Sequence, residues 1–469
     1  MTPPGAAAGD RGQVALVLHT HMPYVEGYGT WPFGEEWLWE AVATSYLPLL
    51  DQLDDGAPLT LSLTPVVVDQ LAAPGALERC VRFLREVRTV SHAQDAARAR
   101  GEGQPQVAAE LERAAGEYER AAATLADPAH DLLGRIARHA AWTSGATHAV
   151  LPMLATDAGV RLQVATGIDS HRARFGGWDG GFWLPECAYA PWLAPLLRHA
   201  GVRATCVELT DVLGFGDPRN LVPLRAPDGP LLVPIDRALI DLVWGPRGYP
   251  SGPAYRDSHR RTANHHRPWA NDGAVYDAAR ARAQVEADAA DLVARCAERI
   301  AGGGLCVLAF DTELFGHWWH EGPAFLAAFV AHAAAAGLPL IGLDDALTGI
   351  AGAADPAATG AITTWGDPHT LWTWSNPRVD DIAVAQRRAE LDAVIAGAGL
   401  PERAVRELLA LQASDWAFMV SRDLSGPYPH ERFDAHLADF RRAMDAVPCV
   451  NVDVRNLAPY LKPRALSGC

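Results

Sequence analysis

With 469 residues, 49% of them hydrophobic, the chain can bury a large core and divide into two or three structural units, and a barrel with insertions absorbs that length. A formal charge of -16 with a pI near 5.5 excludes the basic face that a phosphate backbone demands, so no nucleic-acid partner is expected and a neutral or cationic ligand is more natural. No apolar run approaches the roughly 20 residues that cross a bilayer and no basic segment with an apolar core opens the chain, so the reading is a cytoplasmic protein with no membrane partner.

After a Pro/Gly/Ala leader expected to be loose, Val14 to Leu18 reads as a buried strand ending in His19-Thr20-His21. Residues two apart on a strand share a face, so His19 and His21 could form a metal pair, or one could hydrogen-bond a substrate or a carboxylate while the other packs. Trp31, Phe33, Glu35, Glu36, Trp37 and Trp39 follow as a loop before a helix near Ala41 to Leu50, and Leu59 to Leu63 reads as a second strand. From Ala76 to Ala141 the strand signal vanishes. Ala/Arg/Glu-rich sequence with apolar residues at helical spacing, such as Val81, Leu84 and Val87, predicts a helical insertion there.

Strands resume at residues 145–151, which include His148, then at Phe182 to Pro185, Ala204 to Val207, Leu231 to Ile235, Leu305 to Phe310 and Leu338 to Leu343. Most are separated by stretches long enough for a helix, the alternation of a parallel β/α barrel, incomplete or full. The connection from Val243 to Trp269 is too long for an ordinary loop, with His259, His265 and His266 expected to be exposed. Within it, residues 248–253 have the make-up of a lid: glycines as hinges, prolines that restrict it, and Tyr249 to lay over a sugar. Tyr249 could equally be a turn residue packed on the barrel rim. An Ala/Gly/Pro-rich boundary at residues 351–361 precedes a region with a tryptophan cluster at Trp365, Trp372 and Trp374, then helices that include Ser414, Asp415 and Trp416. The domain reading is a catalytic barrel at 1–75 and 142–355, a helical insertion at 76–141, and a C-terminal helical domain at 356–469.

Two strand ends carry the chemistry. In GFWLPECAY, Gly181 to Tyr189, Glu186 follows a short apolar run and a proline that marks a strand's exit. In VLAFDTELFGHWWHEGP, Val307 to Pro323, another apolar run delivers Asp311, with Phe315, His317, Trp318, Trp319 and His320 behind it. Fifteen tryptophans, clustered in these motifs, suit flat sugar faces. Two carboxyls in such a cleft can break a glycosidic bond with retention, one attacking the anomeric carbon and one protonating the leaving oxygen. Either acid alone could be a structural partner of an arginine. A rival reading is a metal-dependent deacetylase-like barrel with His19, His21, Asp311 and His317 or His320 as ligands, and a third is a non-catalytic glucan-binding protein. Seven scattered cysteines, none in a C-x-x-C pair, fit reduced thiols, with Cys187 beside Glu186 reading as a small buried side chain.

The motifs HTHMPYV at His19, ATHAVLP at Ala146, GFWLPECAY, FDTELFGHWW at Phe310 and the tryptophan motif at Trp365 resemble, in order, those of glycoside hydrolase family 57. WPFGEEWLWEA at Trp31, GYPSGPAYRD at Gly248 and LLALQASDWAFMV at Leu408 resemble its 1,4-α-glucan branching enzymes. The resemblance implies an α/β fold: an incomplete (β/α)7 barrel with a helical insertion and a C-terminal α-helical domain that completes the cleft. It places Glu186 on the family nucleophile and Asp311 on its general acid/base, His19 and His148 on substrate-binding histidines, Trp37, Trp365, Trp372 and Trp416 on cleft aromatics, and Tyr249 on the tip of a mobile loop. It implies no cofactor and no metal, an α-glucan such as amylose or glycogen as partner, and transfer of an α-1,4-glucan segment to a 6-hydroxyl. An α-amylase or 4-α-glucanotransferase of the same family is the alternative. A monomer is expected.

Overall fold

The computed structural model describes residues 12–29, 33–449, 456–462 and 466, with the side chain of residue 398 excluded. The leader, Trp31 and Cys469 lie outside the described residues. Five parallel strands form one sheet in the order β4 (Phe182–Trp183), β3 (Ala140–Ser144), β2 (Leu59–Leu63), β1 (Gln13–Thr20) and β8 (Leu305–Asp311). A second sheet holds β5 (Ala204–Val207), β7 (Leu231–Pro234) and the short antiparallel β6 (Leu224–Arg225). A parallel bridge from Gly181 to Ala204 splices the sheets on one side. On the other, the Asp236 amide donates to the Val307 carbonyl at 2.8 Å. The seven parallel strands therefore close into an incomplete barrel joined at two thin seams.

Nearly every residue of β1 and β8 is buried, on the inner and the outer face of the barrel alike, which is why these strands read as continuous apolar runs rather than alternating ones. The β1–β8 register ends on the pair His19 and Asp311, and β1–β2 sets His19 against Ser62. The carboxyl ends of β1, β2 and β8 thus bring chemistry to one rim, as barrels do.

Three sequence expectations shift. The third strand is Ala140–Ser144, not residues 145–151: its two leading alanines hide it, and the apolar Val150 and Leu151 are buried by a loop and a 3-10 turn instead. Leu338 to Leu343 is reduced to one bridge between Val14 and Leu340, since Pro339 has no N–H to donate. The helix expected from near Ala41 begins earlier: Glu35–Ala41 is helix, including Glu35, Glu36, Trp37 and Trp39 expected as loop, and it is continued by a π turn at Val42–Tyr46 and a further helix at Leu47–Asp54.

The expected insertion is helical, with the hairpin Thr89–Gly101 and Pro105–Ala126 as its main body. The long connection is docked on it: Asn264 Nδ2 donates to Asp95 Oδ1 at 3.0 Å, and His266 is buried, its Nε2 3.0 Å from Ser91 Oγ. The C-terminal helices Asp380–Ala396, Glu402–Leu411, Ser414–Ser421 and Tyr428–Met444 share a core of Leu408, Leu409, Trp416 and Phe440. They dock on the barrel through the loop after β3, where Ala149 bridges Ala413 and the Ser414 amide donates to the His148 carbonyl at 3.1 Å.

The splice at Gly181 has no room for a side chain: a Cβ there would lie 2.2 Å from the Trp142 indole nitrogen. Gly181→Ala is expected to cost about 1–3 kcal/mol by overpacking, read as a lower urea midpoint. Gly302→Ala, with nothing within 4 Å of the added methyl, is expected to leave the midpoint unchanged.

Candidate active site

Glu186 sits in a 3-10 turn just past β4, with the left-handed backbone angles φ 62° and ψ 20°, and Cys187 follows at φ 48°. Such a conformation costs a residue other than glycine about 1–3 kcal/mol and persists only where the surroundings impose it. Here they do. The Glu186 carbonyl accepts the Trp365 amide at 3.0 Å, its Oε2 accepts the Trp365 indole N–H at 3.0 Å, and its Oε1 accepts the Ser414 hydroxyl at 2.8 Å. Trp365 is held in turn by Trp183, centroids 5.0 Å apart, and by Arg237, whose guanidinium donates to the Trp365 carbonyl and pairs with buried Glu208 at 2.8 Å.

Behind Glu186 runs a buried relay whose proton positions follow from its two ends. Ser414 donates to a carboxylate, so its oxygen accepts from His148 Nδ1 at 2.9 Å; His148 Nε2 then accepts from His19 Nε2 at 3.0 Å, and His19 Nδ1 accepts from Ser62 at 3.1 Å. Both rings must be neutral for this to work. Burial first, then neighbouring histidines, holds both pKa values well below the ordinary imidazole range.

His21 behaves in the opposite way. Burial alone would lower its pKa, but Asp415, whose two oxygens lie 3.0 Å from Nε2, outweighs it together with Glu313 and Glu186, and the net shift is upward. His21, whose charged form is favoured by these acids, stacks 4.0 Å over His148. It faces a cluster of acids. Glu313 accepts from Tyr46 and from the His21 amide, and burial raises it to about 7. Asp311 is pushed well above the carboxylate range by burial, then by the charges of Glu313 and Glu186. Burial also raises Glu186, but the hydrogen bonds from Trp365 and Ser414 pull it back toward the ionised form. Both carboxyls end above the ordinary carboxylate range, Asp311 well above it and Glu186 held back by its two hydrogen-bond donors, so their surroundings treat the two acids differently.

The remaining expected site residues are distributed unevenly. Trp37 is partly buried, edge-on to Phe33 and Tyr428 at 5.9 and 5.3 Å. Trp372 is 55% exposed while Trp374 is buried against Gly366, so the first of the two presents an open ring. Trp416 is corrected: it is wholly buried and its indole N–H donates to the Ala410 carbonyl at 2.8 Å, so it holds the C-terminal bundle together. Its neighbours Ser414 and Asp415 reach the site instead, because positions on one helix turn point to different sides. Tyr249 is also placed differently from a lid tip: its ring packs 5.6 Å from Phe325 and its hydroxyl donates to Asp291 at 2.8 Å, the rim position. The metal set is not assembled, since His320 lies against Tyr276 and Arg256, apart from His19 and His21, and among the described residues no group of three or more His, Cys, Asp or Glu is arranged to hold an ion. Among the site residues, Glu313 had no signal beyond lying in a motif, and Tyr46 had none. Ser414, Asp415 and His21 were visible as polar residues inside otherwise apolar runs.

Two buried carboxyls in unlike surroundings, on the strand-end rim of an incomplete β/α barrel and beside tryptophan, are the equipment of a glycoside hydrolase type of site. The chain belongs to glycosyl hydrolase family 57. The model of that family matches residues 140–347, and a model described as the 1,4-alpha-glucan branching enzyme C-terminal region matches residues 384–462. A Mycobacterium tuberculosis protein named a probable 1,4-alpha-glucan branching enzyme is 31% identical, with 91% of this chain and 90% of that protein covered. The 1,4-alpha-glucan branching enzyme of Thermococcus kodakarensis is 28% identical over 92% of this chain and 73% of its own. The crystal structure of the family 57 branching enzyme from Pyrococcus horikoshii superposes with a TM-score of 0.84 at 28% identity, covering 97% of this chain and 95% of that one.

Asp415→Asn tests the electrostatics. Charged His21 is lost as pH rises through its raised pKa, and protonated Asp311 is lost as pH rises through its own. Removing the Asp415 charge lowers both pKa values, so the alkaline limb of kcat/KM against pH is expected to move to lower pH. A limb that stays in place would disconnect Asp415 from the acid.

Proposed function

We infer that the chain is a 1,4-α-glucan branching enzyme, cleaving an α-1,4-glucan with retention and passing the segment to a sugar 6-hydroxyl. The observation that carries the chemistry is Glu186 held by Trp365 and Ser414 opposite a protonation-raised Asp311. The relatives named as branching enzymes, matched over nearly the whole chain, carry the choice of reaction. In this reading Glu186 attacks the anomeric carbon while Asp311 gives its proton to the leaving 4-oxygen, and a covalent glycosyl-enzyme forms. Asp311, now ionised, then takes the proton of the incoming 6-hydroxyl, which displaces Glu186 and keeps the configuration. Atoms and protons balance without a cofactor.

His19 and His148 fix the orientation of Glu186 through Ser414, and we assign them to positioning in addition to any sugar contact. Trp365, Trp372 and Trp37 are the aromatic walls, and Trp244 with Trp318, half-exposed and 5.5 Å apart, offers a further flat surface for a glucan chain. Transfer rather than hydrolysis requires water to be kept from the intermediate. Tyr249 could do this only after leaving Asp291, so the lid role belongs to a conformation other than this one. The acceptor we propose is glycogen or a related intracellular glucan, handled by a monomer in the cytoplasm. Free cysteines, five of the six described ones buried, suit a reducing compartment. No helix among the described residues is long and apolar enough to cross a membrane.

Incubation with amylose, counting new α-1,6 linkages against released reducing ends, decides the reaction: linkages well in excess of free ends are expected, and reducing ends alone would make the protein an amylase. Glu186→Gln is expected to lose on the order of 10⁴-fold or more with fold and glucan binding retained. Asp311→Asn is expected to lose about 10²–10⁴-fold on amylose, yet still to form the covalent intermediate from a substrate with a good leaving group. Substantial turnover by the first variant, or no intermediate from the second, would overturn the assignment.

The C-terminal region makes its own claim. A chain ending at Asp355 lacks Trp365, Ser414 and Asp415, so it is expected to lose activity even where the barrel stays soluble. Full activity in that truncation would show the region to be an appendage.

A further inference from the structure

The connection from Arg256 to Pro268, the insertion hairpin and the loop after Asp311 meet around a cavity of about 70 Å³. That is room for several waters, or for one small polyatomic ion. Its wall carries three guanidiniums, Arg88, Arg256 and Arg267, with His265, His266 and His320, whose charged forms are disfavoured, between them. The acids in and beside the wall are already matched. Glu110 Oε1 takes Arg256 Nη2 at 2.6 Å, Arg113 pairs with both Glu110 and Glu117 at 2.6 Å, and Glu40 pairs with Arg88.

Arg267 is the exception. Among the described residues no carboxylate lies within ion-pair distance of it, and the one hydrogen bond its guanidinium donates runs from Nη2 to the His317 carbonyl at 3.1 Å. It is half-buried and has like charge around it: burial first, with Arg261 and Arg256 adding to it against the opposing pull of Tyr118 and of Glu40, which is not in ion-pair contact, moves its pKa down. The histidines respond to the same field. His320 is held well below the ordinary range by burial, then by Arg256, Arg267 and Arg113, so it stands neutral with an N–H to give. A guanidinium taken out of water without a counter-ion is costly, and its planar fork of N–H groups fits the oxygens of a tetrahedral anion.

We propose that this cavity is an anion site for a phosphoryl group, with Arg267 as its principal ligand and Arg256, Arg88 and His320 around it. The group is either inorganic phosphate or the ester of a small sugar phosphate. Its several acceptor oxygens match donors that arrive from three separate segments of chain. The site is distinct from the Glu186 and Asp311 pair and shares none of its residues, although Gly316 in its wall belongs to the loop that follows Asp311.

Calorimetric titration of the full chain with inorganic phosphate, and separately with glucose 1-phosphate, against sodium chloride at matched ionic strength, tests this directly. Saturable one-to-one binding that Arg267→Gln weakens at least tenfold is expected. Tighter binding of the sugar phosphate would assign the ester as the ligand, and equal or weaker binding would assign the free anion. On the unmodified protein, phenylglyoxal labelling read by peptide mass should show phosphate protecting Arg267 and not the exposed Arg85, a readout that does not depend on the variant folding. Absence of saturable binding by either compound, unchanged affinity in Arg267→Gln, or labelling of Arg267 indifferent to phosphate would each overturn the proposal.

Discussion

The hydrogen bond from Ser414 to Glu186 is the constraint on which the site depends. It crosses from the C-terminal helices to the barrel, at 2.8 Å, and it ends on a residue whose own backbone is left-handed. A carboxylate in that conformation keeps its direction only while something outside its own turn holds it. Ser414 does so on one oxygen and Trp365 on the other, and both belong to the region beyond the barrel. The barrel therefore supplies Glu186, and the C-terminal region aims it.

Around this bond the site solves a charge problem. Glu186, Asp311, Glu313 and Asp415 bring four carboxyls around His21. Burial pushes the pKa values of Glu186, Asp311 and Glu313 upward, and the acids raise that of His21. Hydrogen-bond donors set the two apart: Glu186 has an indole N–H and a hydroxyl, whereas Asp311 has burial and three acidic neighbours, Glu313, Glu186 and Asp415, that favour its protonated form. Two carboxyls at the ends of different strands thus acquire unlike acidities from their surroundings rather than from their chemistry.

The same principle sorts the aromatics. Indole is useful to a sugar when a face is open, and useful to a core when it is not. Trp372 and Trp374 stand two residues apart and take opposite fates, one open and one packed, because a 3-10 turn directs them to different sides. Trp416 belongs wholly to the core, close to His436 and Arg432, and that rigid packing keeps Ser414 and Asp415 on the turn before it in register with the barrel.

Much was legible in the residues alone. Long apolar runs that end in a polar group, such as Leu305 to Asp311, mark buried strands whose chemistry lies at the rim, and period-two spacing put His19 and His21 side by side at the end of β1. The ordered motifs named the family, and with it the barrel, the helical insertion and the pair Glu186 and Asp311. Other features were out of reach of local pattern. Ala140–Ser144 becomes a strand through its partners in the sheet, and Leu338 to Leu343 fails to become one because proline breaks its ladder. Exposure of Trp372, burial of Trp416 and the docking of Tyr249 on Asp291 depend on helix phase and on neighbours far along the chain. So does the protonation of every acid in the site. Sequence fixes which groups exist and which element each rides on; only the tertiary structure fixes distance and solvent, and those two quantities set hydrogen bonds and pKa values.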